Sequence, residues 1–124
     1  MISVIIASWK EQETIGRCIK SIADSKYSGI SEDFQIIQVS PDKETLNAGN
    51  NAALELKLSK SQYIQITDPC RGKPFALGLA VKKAKGNIII WTDGDTYFGK
   101  NAVRELIKPF ENTQIGGVSG RPKS

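Results

Sequence analysis

The sequence predicts a doubly wound α/β layer, a mostly parallel sheet with helices on both faces. Two observations carry this. Short apolar runs rich in β-branched residues, at positions 2–6 and 88–91, alternate with segments whose apolar residues recur at helical spacing. Those runs are nearly continuous, as in strands covered on both faces. Strands alternating with helices in turn imply right-handed crossovers between parallel strands.

Residues 2–8 are the first strand, and 9–14 a polar turn. Ile15, Cys18, Ile19 and Ile22 then predict an amphipathic helix to about Asp24. A polar connection leads to a second strand at 34–39, stopped by Ser40-Pro41 because proline cannot extend a central ladder. Leu46, Ala53, Leu54 and Leu58 mark a helix from Asp42 to about Leu58, with Asn47-Ala48-Gly49-Asn50-Asn51 expected to interrupt it. The third strand, 63–67, is half polar and expected near an edge. A loop at 68–74 precedes a helix through Leu77, Ala80, Val81 and Ala84. The run at 88–91 follows, and its unbroken apolar character places it in the middle of the sheet. A helix at 101–110, with Ala102, Val103, Leu106 and Ile107 inward, and a short Gly-rich strand at 114–120 complete the layer.

Composition narrows the chemistry. The 124 residues suit one domain, and 40% hydrophobic with 24% charged residues is ordinary for a globular protein. The net charge of +4 is spread along the chain, which suits a phosphate-bearing ligand or an anionic membrane surface, and equally an ordinary solvated lysine surface. No basic block forms a nucleic-acid signature. The absence of histidine excludes histidine ligands, Ser-His triads and a histidine base. Cys18 and Cys70 are too few for a zinc site or a disulfide framework, and Cys18 reads as a small core residue. No apolar run approaches the roughly 20 residues that span a bilayer. With the first strand starting at Ile2, the expected location is cytoplasmic, the cytoplasmic face of a membrane included.

The chemistry-bearing stretch is Thr92-Asp93-Gly94-Asp95. Open α/β sheets bind ligands beyond the carboxyl ends of their strands, where these carboxylates fall. Residues i and i+2 of a strand share a side, and Gly94 lets the chain bend there. Two such carboxylates can share one hard ion, Mg²⁺ or Mn²⁺, with water and phosphate oxygens completing its shell. The alternative is a loop whose aspartates stay solvated or cap the next helix.

These segments resemble the nucleotide-sugar-binding portion of a family 2 glycosyltransferase, over nearly the whole chain. The most specific piece is Arg71-Gly72-Lys73-Pro74-x-Ala76-Leu77, followed by Gly86-Asn87-Ile88-Ile89-Ile90-Trp91-Thr92-Asp93-Gly94-Asp95. The resemblance implies the GT-A fold, a Rossmann-like nucleotide-diphospho-sugar transferase fold, and places the family's Asp-x-Asp triplet at 93–95. Asp95 would ligate the metal, Mn²⁺ or Mg²⁺, and Asp93 would face the ribose or the metal shell. Glu11 falls on a family glutamate that contacts the nucleoside, although Ala7 and Lys10 depart from the family's proline and asparagine. Read without the family, Glu11 is an ordinary acid favouring a helix dipole. Ser40-Pro41-Asp42 stands where the family carries Asp-Asp, so Asp42 is either the base-recognising carboxylate or the N-cap of the next helix. Arg71 and Lys73 fall where basic residues approach the diphosphate.

The implied activity is metal-dependent transfer, with inversion, of a sugar from a nucleotide-diphosphate donor to an acceptor that is lipid-linked, saccharide or protein. No residue matches the family's general base, and Glu105 and Glu111, on or just beyond the last helix, read as solvated. The expectation is one nucleotide-sugar-binding domain, 1–124, without the acceptor-binding half. A binding module without turnover and a sugar nucleotidyltransferase remain as alternatives. The latter's Gly-rich, arginine-bearing loop is missing after the first strand. Apolar surface around Trp91, Ile115 and Val118 is expected to be partly exposed, for a partner half or self-association.

Overall fold

The computed structural model of the chain describes residues 2–25 and 34–111. Four strands, β1 (Ile2–Ala7), β2 (Phe34–Ser40), β3 (Tyr63–Thr67) and β4 (Ile88–Asp93), form one parallel sheet in the order β3-β2-β1-β4. Between them run α1 (Ile15–Asp24), α2 (Lys43–Glu55) and α3 (Lys73–Lys83), and α4 (Ala102–Ile107) follows β4. The alternation of side chains across the strands sorts the core into two layers. Ile2, Val4, Ile6, Ile36 and Ile90 meet α1 and α4 on one face, with Ala48 and Ala52 of α2 packed against them. Ile5, Ile37 and Val39 meet Ala76 and Ala80 of α3 on the other.

The predicted doubly wound α/β layer is therefore present, with corrections. The run at 88–91 is not in the middle of the sheet. Among the described residues β4 is an edge strand paired only with β1, and β1 and β2 are central. One face of β4 buries Ile90 and Thr92, while Ile89 and Trp91 are 41% and 36% exposed on the other. An apolar run records that its residues suit burial, but not which neighbours the sheet supplies. Secondly, α2 runs unbroken through 47–51. Gly49 there is a packing device, because a methyl group on it would strike the Gln38 side chain and come within 2.7 Å of the Tyr63 hydroxyl. Thirdly, the loop expected to last to Pro74 ends at Gly72, and α3 opens at Lys73 with Pro74 in its first turn. Leu54, expected among the apolar positions of α2, is 67% exposed. The predicted strand at 114–120, with Ile115 and Val118, lies outside the described residues.

Every residue of β2 is buried, including Gln35, Gln38 and Ser40, so these polar groups must find partners inside. Gln35 Oε1 accepts from the Ser3 hydroxyl at 2.9 Å and from Lys85 N–H at 3.1 Å, which ties the entry of β4 to the sheet. Gln38 donates to the Thr45 carbonyl at 3.0 Å and accepts from the Tyr63 hydroxyl, holding α2 against the strands.

Gly49→Ala should cost about 1–3 kcal/mol by overpacking, read from a urea melt, because Gln38 and Tyr63 cannot both withdraw from their hydrogen bonds. Burial also pushes the Tyr63 phenol up to about 12 from its ordinary 10.0, against a smaller opposing effect of Gln65. The unfolded phenol thus ionises first, and Tyr63's contribution to stability is lost as pH rises from about 10 through 12. Melts across that window should show a steep fall that Tyr63→Phe makes shallower; an unchanged slope would refute the assignment.

Candidate active site

Parallel strands put all their carboxyl ends on one edge, and the candidate residues gather there. An open cleft of about 580 Å³ lies between that edge and the start of α3. Glu11, Lys73 and Asp93 line it, with Asp68 and Cys70 on the β3 side. Its floor is apolar, formed by Ile5, Val39, Leu77 and Trp91 among others. A second hollow of about 420 Å³ is lined by residues 10–14 and Asp95, so Glu11 borders both.

The turn after β1 meets the turn after β4 because β1 and β4 pair in register up to Ala7 and Asp93. Gly94 N–H donates to the Ala7 carbonyl at 3.2 Å. The approach is so close that a methyl on Gly94 would lie 2.7 Å from Ser8 Cβ and 3.1 Å from both Glu11 Oε1 and Ile15 Cδ1. Behind the turn, the buried Cys18 thiol donates to the Asp93 carbonyl at 3.6 Å. Burial, with the negative charges of Glu11, Asp95 and Asp93, pushes that thiol up to about 12. Beyond Asp95, Phe98 N–H donates to Ser21 at 2.8 Å, and Arg17 stacks over Tyr97 with 4.3 Å to the ring centre.

Glu11 is held above the ordinary carboxylate range by burial first, and then by the charges of Asp95 and Asp93. The N–H groups of Trp9 and Gly94 pull the other way. The charges of Asp95 and Asp93 thus reach Glu11 across the two turns. Among the described residues, no three His, Cys, Asp or Glu side chains form a cage for a metal. Asp93 lines the cleft and Asp95 the second hollow, and both offer hard oxygen donors of the kind that suits Mg²⁺ or Mn²⁺.

Two of the other sequence candidates, Asp42 and Arg71, fall outside the cleft wall. Asp42 is not in the cleft wall; it caps α2, and its side chain accepts from Thr45 N–H at 3.3 Å. Arg71 lies outside the lining and stacks on Phe75, with 5.3 Å to the ring centre. Lys73 lines the cleft at the first turn of α3, after Cys70 and Gly72 take positive φ of 61° and 101°. Sequence reading did not place Trp9, Pro41, Asp68 or Trp91 in the cleft wall. The signal that could have found all four is their position within two residues of a strand's carboxyl end. Glu105 is exposed, as expected.

A parallel α/β layer with carboxylates and a lysine at its carboxyl edge defines a class of open-sheet proteins that bind ligands at that edge. Comparison with known proteins narrows that class: the chain belongs to glycosyl transferase family 2, whose sequence model matches residues 3–124. It is 27% identical over 122 residues to an N-acetylglucosaminyltransferase of Azorhizobium caulinodans, covering 97% of this chain and 30% of that protein. Among solved structures it is similar to the mannosyltransferase PcManGT of Pyrobaculum calidifontis, in complex with GDP-Man and Mn²⁺. That match has a TM-score of 0.71 and 23% identity, covering 87% of this chain and 32% of that one. S. aureus TarS in complex with UDP-GlcNAc superposes with a TM-score of 0.69 and 19% identity, over 99% of this chain and 36% of that one. The fold is the GT-A fold, and the chain spans about a third of the length of these relatives. Among the described residues, no helix is long and apolar enough to cross a membrane.

Gly94→Ala should destabilise the chain by about 1–3 kcal/mol, because backbone and Ser8 must separate to admit the methyl group. Gly78→Ala, with nothing within 4 Å of the added methyl, is the control and should not destabilise. Equal urea midpoints for the two variants would show that the turns are not pressed together.

Proposed function

We propose that this chain binds the donor for a glycosyltransferase, holding a nucleotide-diphosphate sugar in the cleft for metal-dependent transfer with inversion. The observation that carries this reading is the meeting of Glu11, Lys73 and Asp93 around one cleft, with Asp95 adjoining, in a family 2 chain. Relatives solved with GDP-Man and Mn²⁺ and with UDP-GlcNAc support the ligand class.

Each residue has a role suited to its place. Lys73, a mobile point charge at the start of α3, contacts the diphosphate. Arg71 joins it only by leaving Phe75. Glu11 accepts from the nucleoside, and Asp93 faces the ribose or the metal shell. Asp95 ligates Mn²⁺ or Mg²⁺. When bound, that ion stabilises the charge growing on the departing diphosphate. The apolar floor excludes water from beneath the donor.

The groups in the cleft all act on the donor. Inverting transfer also needs a base within reach of the acceptor hydroxyl. We place that base and the acceptor site in polypeptide beyond this cleft, in cis or from a partner chain, for an acceptor whose chemistry the cleft does not define. The half-exposed Trp91 and exposed Ile89 offer an apolar strip for such packing or for self-association. The expected setting is the cytoplasm or the cytoplasmic face of a membrane, where nucleotide sugars are available.

Calorimetry with GDP-Man and UDP-GlcNAc, with and without Mn²⁺, tests the reading. Asp95→Ala should abolish the Mn²⁺-dependent part of binding, and Asp93→Ala should weaken it roughly 10- to 100-fold. Equal affinity of wild type and Asp95→Ala in Mn²⁺ would refute the metal assignment. The purified 124-residue chain should also transfer sugar negligibly to any added acceptor. Rapid turnover would mean that a base lies among the residues already present, Asp68 first.

A further inference from the structure

The turn that carries Glu11 has an unusual support. Lys10 sits in the left-handed region at φ 54°, a conformation that costs a non-glycine residue energy unless its surroundings hold it. Its N–H donates to Asp42 Oδ2 at 3.3 Å, thirty-two positions away in the chain. The next N–H, that of Glu11, donates to Thr45 Oγ1 at 3.0 Å. The Thr45 hydroxyl in turn donates to the same Asp42 Oδ2. One carboxylate oxygen thus gathers two successive amides of the turn, one directly and one through a buried threonine, while also capping α2 through Thr45 N–H.

The other oxygen of Asp42 is no more available to a ligand. Oδ1 is enclosed by protein and takes no hydrogen bond. Burial pushes the Asp42 carboxyl up, but the Thr45 hydroxyl and the amides more than offset this and hold it below the ordinary range. The group stays ionised, as a charged acceptor for these amides requires.

We propose that Asp42 is a positioning residue, which with Thr45 holds the left-handed turn that aims Glu11 between the cleft and the Asp95 hollow, and does not itself touch the donor. The inference rests on the donor-binding reading for what Glu11 does, but not for how the turn is held. With the hold lost, Lys10 leaves the left-handed region, Glu11 N–H loses its partner, and the Glu11 carboxylate swings away from Gly94.

Two measurements on the full chain test this. The first needs no ligand: amide hydrogen exchange at Lys10 and Glu11. Asp42→Ala should accelerate both amides on the order of tenfold, with the central β1 amide of Ile5 unchanged. Asp42→Asn, which keeps an accepting oxygen, should restore part of the protection. Thr45→Val should accelerate Glu11 far more than Lys10. Should Asp42→Ala not fold, Asp42→Asn and Thr45→Val carry this arm. Unchanged exchange at both amides overturns the proposal.

The second measurement is a double-mutant cycle of donor binding, with GDP-Man and UDP-GlcNAc in Mn²⁺. Asp42→Asn and Glu11→Gln should each weaken binding, and the double variant should bind no more weakly than Glu11→Gln alone. Additive losses would mean that Asp42 meets the donor directly, and would overturn the proposal. If the wild type binds neither nucleotide sugar, the donor-binding reading falls instead, and the exchange arm alone decides whether Asp42 holds the turn.

Discussion

The register between β1 and β4 is the constraint on which the site depends. It sets Ala7 beside Asp93, so the chain leaves both strands at the same height and in the same direction. Two turns must then occupy nearly the same space, which is possible only because one of them has no side chain at Gly94. The close approach puts a carboxylate from each turn into the other's field. Had β4 slipped by one residue, Asp93 would face the α1 side of the sheet, and Ile90 and Thr92 would leave the core layer they now fill. Side-chain alternation makes the pairing all or nothing.

The electrostatic consequence follows from packing. Glu11 is partly withdrawn from water by the Gly94 turn, and Asp95 and Asp93 lie near enough to oppose its ionisation. Lys10 does not neutralise them, since its ammonium group lies over the Trp9 ring, 4.8 Å from the ring centre. A site with surplus negative charge beside a lysine-lined cleft is suited to a ligand that brings a divalent cation and a diphosphate together. A diphosphate alone would be repelled by these carboxylates, and a divalent cation removes that repulsion.

Burial of polar groups beneath the carboxyl edge serves the same end. Gln38, Ser40 and Thr45 form a hydrogen-bonded layer there, which includes a bond between the Ser40 and Ser8 hydroxyls. In a core of isoleucines such groups are costly unless satisfied, so they admit few alternative arrangements. The first turn of α2 is thereby fixed relative to the ends of β1 and β2, and the turn that it supports is fixed with it. Rigid elements hold the short turns that present the charged side chains.

Much of this was legible in the sequence for local reasons. β-Branched runs, helical periodicity at Ile15, Cys18, Ile19 and Ile22, and Ser40-Pro41 report preferences that residues carry with them, and the strands and first helix begin within a residue or two of where those signals put them. The place of Asp93 at the carboxyl end of a parallel strand was legible as well, because parallel strands leave their carboxyl edge no choice of side. Tertiary structure decided the rest. An apolar run does not encode its neighbours, so only the assembled sheet shows β4 at an edge of the described residues, with Trp91 uncovered. Gly49 reads as a helix breaker until Gln38 and Tyr63 are seen filling the space a methyl would need. Asp42 could be read as cap or ligand contact from its position alone. The cap is made locally, through Thr45 N–H, but the same carboxylate also accepts from Lys10 N–H thirty-two positions away, and a linear sequence does not state which distant amides will arrive beside a carboxylate.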